Sequence, residues 1–390
     1  MQSTFATLSL GAIKRQYALL QSTFPTTKFY YAVKCNNYPK VIQCLVDLGS
    51  SFDCASIREI QFVLSFGVDP GSRIIFANPH RSQIEVDEAV KLGVEMMTFD
   101  SESQLLRLRS VKKPLLRMCP PSQENQSVKL GVKFGADIFQ AHRLLSLAHS
   151  LGVNISGLCF HMGYPIGPVT PILSMLKTIQ IPSSEFELQL SCIDFGGGFD
   201  FKLPENCLKL NEKLKEIQKE SSLELQCEPG RFLVQSAVKY FTRVEGKNDG
   251  TIFVNGSCFQ MFFRDMLKKN PIKVKVVSKE WIQNYILNEN KDKKYETKNT
   301  NDECEKEEIE LNEQFQVQCK TFSENQNTKQ IIIRGSSGMQ NDVFYEGKIG
   351  DIEVGDYIMI QNAGAYTISC MSQQLDQFCG MNALQVVEVE

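Results

Sequence analysis

Short apolar strands alternate with amphipathic helical segments from residue 10 to about residue 230 of this 390-residue chain. The predicted strands are residues 28–34, 51–55, 73–78, 95–99, 114–119, 156–162, 191–196 and 223–229. A helix is predicted before the first strand, from Gly11 to about Thr23. Eight strands separated by helices over about 220 residues match the number and length of units in a (β/α)8 TIM barrel, which is an α/β fold.

The segments between the strands have the spacing of amphipathic helices, and several of them stop at a glycine. Examples are residues 38–49, 58–67 and 141–152. Glycine commonly ends helices because it adopts the left-handed backbone conformation without strain. An open, doubly wound sheet is the alternative fold. Its first strand would lead into a glycine-rich phosphate-binding loop, and no such loop follows residue 34.

After about residue 238 the pattern changes to β-rich runs, which indicate a second, mostly antiparallel β domain. We expect residues 9–237 to form the barrel, and residues 1–8 and 238–390 to form the β domain. Residues 287–313 are charged, rich in asparagine and nearly free of apolar side chains. This composition predicts a disordered surface insertion without a catalytic role.

The composition excludes several classes of function. A net charge of −3 favours neither nucleic acid nor an anionic membrane as a partner, and no apolar run is long enough to span a bilayer. The N-terminus lacks the basic start and apolar core of a signal peptide. Four histidines without an H-E-x-x-H motif predict no metal site. Thirteen cysteines without C-x-x-C spacing indicate buried free thiols in a cytoplasmic protein.

Active-site residues of a TIM barrel gather at the carboxyl ends of its strands. Lys34 ends the run KFYYAVK, where partial desolvation would favour the neutral amine that forms a Schiff base. The alternative is a core lysine whose amine reaches solvent. Similarly, Asp53 and Glu59 have an alternative role as a helix cap and a first-turn acid. Polar or glycine residues end the other strands: Asp53, Asn78, His161, Gly196-Gly197-Gly198 and Glu228-Pro229-Gly230-Arg231.

Together these strand ends suit a phosphate-bearing cofactor, pyridoxal 5'-phosphate. The glycine run and Gly230-Arg231 can bring backbone N–H groups to a phosphate. Glu228 can pair with the ring nitrogen, and His161 can stack on the ring. Taken singly, the glycine run is also typical of a flexible loop, and His161 of a hydrogen-bonded core histidine.

Nine segments carry a more specific signal: FYYAVKCN, FDCASIREI, RIIFANP, VEMMTFDSE, VKFGA, CFHMG, IDFGGGF, CEPGRF and VGDYIMIQNAGAYT. In these segments, and over about residues 9–378, the chain resembles the eukaryotic ornithine decarboxylase family. That family combines an alanine-racemase-like barrel with a β domain and converts ornithine to putrescine with pyridoxal phosphate. Its enzymes are head-to-tail homodimers in which each active site borrows residues from the partner's β domain.

The resemblance implies a role for each matching position. Lys34 would form the Schiff base, Glu228 would pair with the pyridinium nitrogen, and His161 would stack on the ring. Asp53 and Glu59 would belong to the network on the cofactor side. The residues implied to serve the phosphate are Gly198, Gly230, Arg231 and Tyr366.

The residues that the family lends to a partner's active site differ here. Where the family has G-P-T-C-D-x-x-D, residues 335–342 are GSSGMQND. Gly338 therefore replaces the cysteine that governs reprotonation, and Met339 replaces the aspartate that binds the distal amine. Glycine offers no proton donor, and methionine is a weak acceptor. Loss of a positioned proton donor typically lowers a rate by about 10²–10⁴.

Other positions near the expected site also depart from the family pattern. Tyr164 replaces a phosphate-binding serine, Lys129 replaces an arginine near the cofactor ring, and Gln374 replaces a phenylalanine. Asp265 is expected to keep the role of a substrate-binding acid, although the tyrosine beside it is Arg264. Another cysteine, such as Cys258, is an alternative proton source.

Two hypotheses follow. The first is a pyridoxal-phosphate decarboxylase that acts on ornithine or a related basic amino acid. The second is an inactive paralogue, similar to antizyme inhibitor, that binds an active decarboxylase subunit as a heterodimer or binds antizyme. The segment that corresponds to the family's antizyme-docking region, residues 81–104, carries Glu85, Asp87 and Glu88. We interpret it as an ordinary barrel helix.

Overall fold

The computed structural model describes residues 3–120, 133–161, 163, 190–199, 204–220, 223–267, 272–289, 329–370 and 384–389. The chain divides into two compact units. Lys14–Leu233 form one, the barrel unit, and Met1–Ile13 together with Val234–Glu390 form the other, the β unit. The sequence prediction placed the domain limits instead at residues 9 and 237.

Eight parallel strands close into a barrel in the first unit. They are β2 (Thr27–Ala32), β3 (Ser51–Cys54), β4 (Ile74–Phe76), β5 (Met96–Phe99), β6 (Lys113–Arg117), β7 (Gly157–Cys159), β8 (Cys192–Asp194) and β9 (Glu224–Cys227), where β1 is Thr4–Ser9 of the other unit. Each strand pairs with the next, and β2 also pairs with β9, which closes the ring. The predicted (β/α)8 barrel is confirmed, and every strand except β5 ends one to three residues earlier than the sequence suggested.

Helices alternate with these strands, as the sequence spacing predicts. They are α1 (Leu10–Thr23), α2 (Pro39–Asp47), α3 (Ile57–Leu64), α4 (Pro70–Arg73), α5 (Gln83–Lys91), α6 (Glu102–Arg107), α7 (Ile138–Ser150), α8 (Pro204–Glu220) and α9 (Arg231–Val234). Gly49 and Gly152, which follow α2 and α7, have φ angles of +79° and +66°. Both glycines therefore end their helices in the left-handed conformation that the sequence indicated.

The barrel interior is filled by side chains from its own strands. Tyr30, Ile75, Met96, Leu115 and Cys159 pack together in it, each at most 7% exposed. Parallel barrel strands are covered on both faces, which explains why their sequences are nearly continuous apolar runs. The packed interior leaves the ends of the strands as the place for polar chemistry.

The β unit is an eight-stranded, mostly antiparallel sheet. It contains β1 together with β10 (Val238–Asn248), β11 (Thr251–Val254), β12 (Lys275–Val277), β13 (Lys329–Arg334), β14 (Val343–Ile349), β15 (Tyr357–Ile360) and β16 (Gln385–Val389). Two pairs are parallel, β1 with β16 and β11 with β13. The predicted β domain is confirmed in its strand content.

Aromatic side chains form the core of the β unit. Phe5 on β1 stacks on Phe241 of β10 with ring centroids 5.0 Å apart. Trp281 stacks on Tyr285 at the same distance, within the helix α12 (Lys279–Glu289). The β unit also contains two short helices, α10 (Cys258–Met261) and α11 (Phe263–Leu267).

Helix α12 was not predicted, and its end overlaps the predicted insertion. Residues 287–289 are helical, whereas residues 290–313 lie outside the described residues. No described helix is long and apolar enough to cross a membrane, and the described residues contain no cluster of side chains that would hold a metal ion. The nine cysteines whose side chains are described are free thiols, and eight of them are buried.

Candidate active site

Lys34 and Asp53 form an ion pair at the carboxyl ends of neighbouring strands. Lys34 lies in a 3-10 turn, Val33–Cys35, directly after β2, and Ala32 pairs in register with Asp53 of β3. Lys34 Nζ donates to Asp53 Oδ2 at 2.6 Å. The Asp53 side chain is fully buried, whereas that of Lys34 is 44% exposed.

The Lys34 amine is half-exposed and held by a buried carboxylate, so it does not simply extend into solvent, the alternative considered for it. Its role in forming a Schiff base stays a prediction. The ion pair fixes the amine at the mouth of the barrel.

Glu59 forms local hydrogen bonds at the start of α3. Its Oε2 accepts a hydrogen bond from Ala55 N at 2.6 Å, and Ser56 Oγ accepts one from Glu59 N at 3.3 Å. Desolvation raises the pKa of Glu59, although the bond from Ala55 opposes the shift. Glu59 lies in the first turn of α3, and the helix cap is Ser56 rather than Asp53. The place of Glu59 in the network on the cofactor side stays a prediction.

Two further carboxyl groups complete an acidic cluster with Asp53. Glu228 directly follows β9, and Asp194 is the last residue of β8. Desolvation raises the pKa of Glu228 well above its usual range, and the charges of Asp53 and Asp194 add to this effect. Desolvation also raises the pKa of Asp194, to about 7. These groups therefore retain protons that exposed carboxyls lose well below neutral pH.

His161 follows β7 and is a neutral imidazole. Desolvation lowers its pKa to about 3, and the positive charges of Arg117 and Lys34 act in the same direction. Its Nδ1 accepts a hydrogen bond from Gly163 N at 3.0 Å. The proton of the neutral ring is therefore on Nε2, which can donate a hydrogen bond.

The glycine run is a close-packed backbone segment. A Cβ on Gly196 would lie 2.4 Å from Phe160 O, and a Cβ on Gly197 would lie 2.5 Å from Glu228 O. Gly196 and Gly198 also have φ angles of +70° and +103°. A side chain at Gly196 or Gly197 would collide with backbone atoms that follow the neighbouring strands, so the alternative of a merely flexible loop does not describe this segment.

The remaining predicted residues are distributed differently. Gly230 packs against Ala32 and Cys35, and Arg231 is the first residue of α9. Asp265 and Tyr366 belong to the β unit, where the Arg264 guanidinium carbon lies 4.7 Å from the centroid of the Tyr366 ring. Three residues from the sequence analysis lie outside the described residues: Lys129, Tyr164 and Gln374.

Arg117 and Asp194 were missed by the sequence analysis. Arg117 ends β6, donates to Ala77 O at 3.3 Å, and acts on the pKa of His161, Glu228 and Asp194. The predicted strands ran to residues 119 and 196, which placed both residues inside strands. The true strand ends are Arg117 and Asp194, so the rule that found Lys34 and Asp53 would have found them with correct boundaries.

The fold is a (β/α)8 barrel with charged and polar side chains clustered at its strand ends, an arrangement typical of barrels that bind a cofactor. Residues 10–235 match the family described as pyridoxal-dependent decarboxylase, pyridoxal binding domain, and the chain belongs to this family. Pyridoxal phosphate is the cofactor of the family.

Individual relatives agree with this assignment. Antizyme inhibitor 2 of Xenopus laevis is 34% identical over 261 residues, which are 64% of this chain and 57% of that protein. Ornithine decarboxylase of Mus musculus is 33% identical over 248 residues, 60% of this chain and 54% of that protein. The match thus spans little more than half the length of these relatives.

Solved structures share the fold over the whole chain. The arginine decarboxylase of Paramecium bursaria Chlorella virus superposes with a TM-score of 0.80 at 23% identity, covering 100% of this chain and 96% of that one. The lysine decarboxylase of Selenomonas ruminantium has a TM-score of 0.79 at 22% identity, covering 100% and 93%. These likenesses support the barrel plus β domain.

The residues of the barrel mouth fit the family's cofactor. The backbone of the glycine run packs closely against the segments after β7 and β9, which carry His161 and Glu228. Asp53 Oδ1 and Asp194 Oδ2 are buried without a hydrogen-bond partner among the described residues. Buried polar atoms are seldom left unpaired, so the mouth retains hydrogen-bonding capacity for a polar ligand.

Proposed function

We propose that this chain is a pyridoxal-phosphate-dependent decarboxylase of a basic amino acid, with L-ornithine as substrate and putrescine as product. The observation that carries the proposal is the Lys34–Asp53 ion pair beside Glu228 and His161 at one end of the barrel. When bound, the cofactor supplies an electron sink for the carbanion left by the departing carboxylate.

The residues of this chain supply position, charge and protons. Lys34 provides the primary amine that attaches the cofactor, and Asp53 orients that amine. Glu228 holds a proton that it can share with the ring nitrogen. His161 is a neutral member of the same cluster. Its ring proton is on Nε2, because Nδ1 accepts the hydrogen bond from Gly163 N. The glycine run, Gly230 and Arg231 are proposed to hold the phosphate.

Relatives support the choice of substrate class. Ornithine decarboxylases of Mus musculus and Nicotiana glauca match at 33% and 31% identity, and the superposed structures include arginine and lysine decarboxylases. All three amino acids carry a distal cation. We propose Asp265, an acid at the start of α11, as the group that binds it, in a cytoplasmic homodimer.

A second candidate function has its own support in the loop of residues 335–342. A Cβ on Gly338 would meet nothing within 4 Å, and Met339 is 47% exposed. This loop therefore presents neither an acid nor a proton donor at those positions. A matching relative is antizyme inhibitor 2. The alternative is therefore an inactive paralogue that regulates by binding antizyme or an active decarboxylase subunit.

Release of labelled carbon dioxide distinguishes the two candidates. Purified protein is incubated with pyridoxal phosphate and with carboxyl-labelled ornithine, lysine or arginine, next to the Lys34→Ala variant. The proposal expects release from at least one amino acid and none from the variant. Cofactor absorbance without release from any of the three would contradict it. A catalytically competent homodimer would contradict the second candidate.

A restoring double variant sharpens the test. Gly338→Cys combined with Met339→Asp places a thiol and a carboxylate in the open loop. If the native activity is limited by this loop, release from ornithine should rise by about 10²-fold, the typical contribution of a positioned proton donor. Gly338→Ala with Met339→Leu is the matched control, because it fills the same space without the chemistry. Equal rates for both double variants would show that the loop does not limit the reaction.

A further inference from the structure

The two carboxylate oxygens of Asp194 have different environments. Oδ1 accepts a hydrogen bond from Gly196 N at 2.8 Å, which holds the first residue of the glycine run in its left-handed conformation. Oδ2 is buried and has no hydrogen-bond partner among the described residues. One oxygen thus fixes the backbone of the site, and the other remains available to a proton or a ligand.

Asp194 is surrounded by two cations, two other carboxyl groups, a tyrosine and three thiols. They are Lys34 in the turn after β2, Asp53 on β3, Arg117 on β6, Glu228 after β9, and Tyr30, Cys159, Cys192 and Cys227 in the barrel wall. Desolvation raises the pKa of the tyrosine and the three thiols, so these four stay neutral. If all three carboxyls were ionised, they would outnumber the two cations.

We propose that Asp194 is a positioning residue of the cofactor site: it anchors the glycine run through Gly196 and carries the ionisable proton that sets the pH range of tight cofactor binding. The proposal depends on cofactor binding in this barrel, but not on the amino acid that the protein decarboxylates. It therefore applies equally to an active decarboxylase and to an inactive paralogue that still binds the cofactor.

Electrostatics gives the direction of the effect. Desolvation raises the pKa of Asp194 to about 7, with Asp53 adding to the shift and Gly196 N, Arg117 and Lys34 opposing it. Below that pH, Asp194 and Glu228 both keep their protons, so Asp53 alone opposes the two cations and the cluster carries a net positive charge. Above it, the ionised Asp194 cancels that positive charge, which would otherwise attract an anionic phosphate. Affinity should therefore fall by about tenfold above pH 7, the order of magnitude expected for one unit of charge in a partly desolvated site.

Two variants separate the anchoring role from the titration. Asp194→Asn keeps a carbonyl oxygen for Gly196 N–H but cannot ionise, whereas Asp194→Ala loses both properties. Asp69→Asn is the matched control, because Asp69 is an exposed helix cap outside the cluster. The Kd for pyridoxal phosphate is measured by absorbance titration of cofactor-depleted protein from pH 5.5 to pH 9, without any substrate.

Wild type and Asp69→Asn should show an inflection in Kd near pH 7 that Asp194→Asn lacks. Asp194→Asn should bind about tenfold more tightly than wild type at pH 8.5. Asp194→Ala should also lack the inflection but bind about three- to tenfold more weakly than Asp194→Asn at every pH, because Gly196 N–H loses its acceptor. An unchanged inflection in Asp194→Asn, or equal Kd values for the two Asp194 variants, would overturn the proposal.

An independent measurement covers the case in which a variant does not fold. In an infrared pH titration of cofactor-free wild type, the proposal expects the protonated-carboxyl band to lose intensity between pH 6 and pH 8. A constant band over that range overturns it. Absence of cofactor binding by wild type at every pH would instead contradict the proposed function, and cofactor binding without decarboxylation would leave the role of Asp194 intact.

Discussion

Buried aspartates occur in both units of this protein, but their hydrogen bonding differs. At the barrel mouth, Asp53 and Asp194 each keep one oxygen without a hydrogen-bond partner among the described residues. In the β unit, Asp342 is 1% exposed and uses both oxygens. Its Oδ1 accepts from Cys258 N at 2.9 Å, and its Oδ2 accepts from Ser337 N at 3.1 Å and Ser337 Oγ at 2.6 Å.

The comparison shows that burial of an acid does not by itself mark a functional site. Asp342 organises the loop that carries Gly338 and Met339, so its charge is satisfied by its own chain. Asp53 and Asp194 at the barrel mouth each retain an oxygen that can accept another hydrogen bond, and both lie near Lys34 and Arg117. Buried oxygens without a partner near cations are candidates for ligand contacts, whereas the fully bonded carboxylate of Asp342 stabilises its own loop.

Replacement of Lys34 should have the largest effect. Lys34→Ala removes the amine that we propose attaches the cofactor, so cofactor absorbance in the purified protein should disappear, and any carbon dioxide release should fall by at least about 10³-fold. Lys28→Ala is the matched control, since Lys28 lies on β2, the strand that precedes Lys34, but donates to Ser72 O instead. Normal cofactor absorbance in Lys34→Ala would contradict the distinction between the acids of the barrel mouth and Asp342.

Replacement of Asp342 should reduce stability without reducing cofactor binding. Asp342→Ala leaves Cys258 N and the Ser337 donors without their acceptor, which should lower the free energy of unfolding by about 3 kcal/mol. Urea denaturation measures this loss, and Asp351→Ala, at an exposed position, is the control. A Kd for pyridoxal phosphate that rises with Asp342→Ala at unchanged stability would show that Asp342 is functional.

Two glycine substitutions extend the comparison to the backbone. A Cβ on Gly197 would lie 2.5 Å from Glu228 O, so Gly197→Ala should cost about 1–3 kcal/mol of stability and weaken cofactor binding. Gly338→Ala has open space and should change stability by less than about 0.5 kcal/mol. Thermal unfolding of both variants tests the difference, and similar losses would contradict it.

The neutral His161 predicts a smaller, pH-dependent effect. Its pKa is about 3 in the folded protein and near 6.5 when unfolded, so the unfolded state binds the proton more readily as pH falls from 6.5 toward 3. Stability present above pH 6.5 is therefore lost on acidification. His161→Gln should reduce the loss between pH 7 and pH 5 by about 1–2 kcal/mol. Chemical denaturation at both pH values measures it, and His142→Gln, at an exposed position of α7, should match wild type.

The sequence predicted the fold well because its signals are local and repeated. Apolar strands and glycine-stopped helices recur along the barrel, and each repeat is set by neighbouring residues. Helix α12 was missed because its stability depends on packing: Trp281 and Tyr285 bury their rings in the β unit beside Phe241. Such burial is not visible in a weak helical pattern.

For the candidate site, the sequence alone determined which residue types end the strands: Lys34, Asp53, His161, the glycine run and Glu228. Only the tertiary structure decided the pKa shifts and ion pairs of these residues, and only it identified Arg117 and Asp194 as members of the site. Closing the barrel brings ends of strands that are far apart in sequence into one desolvated cluster, where each charge depends on the others. That closure pairs Lys34 with Asp53, keeps His161 neutral, and leaves Asp194 with a proton near pH 7.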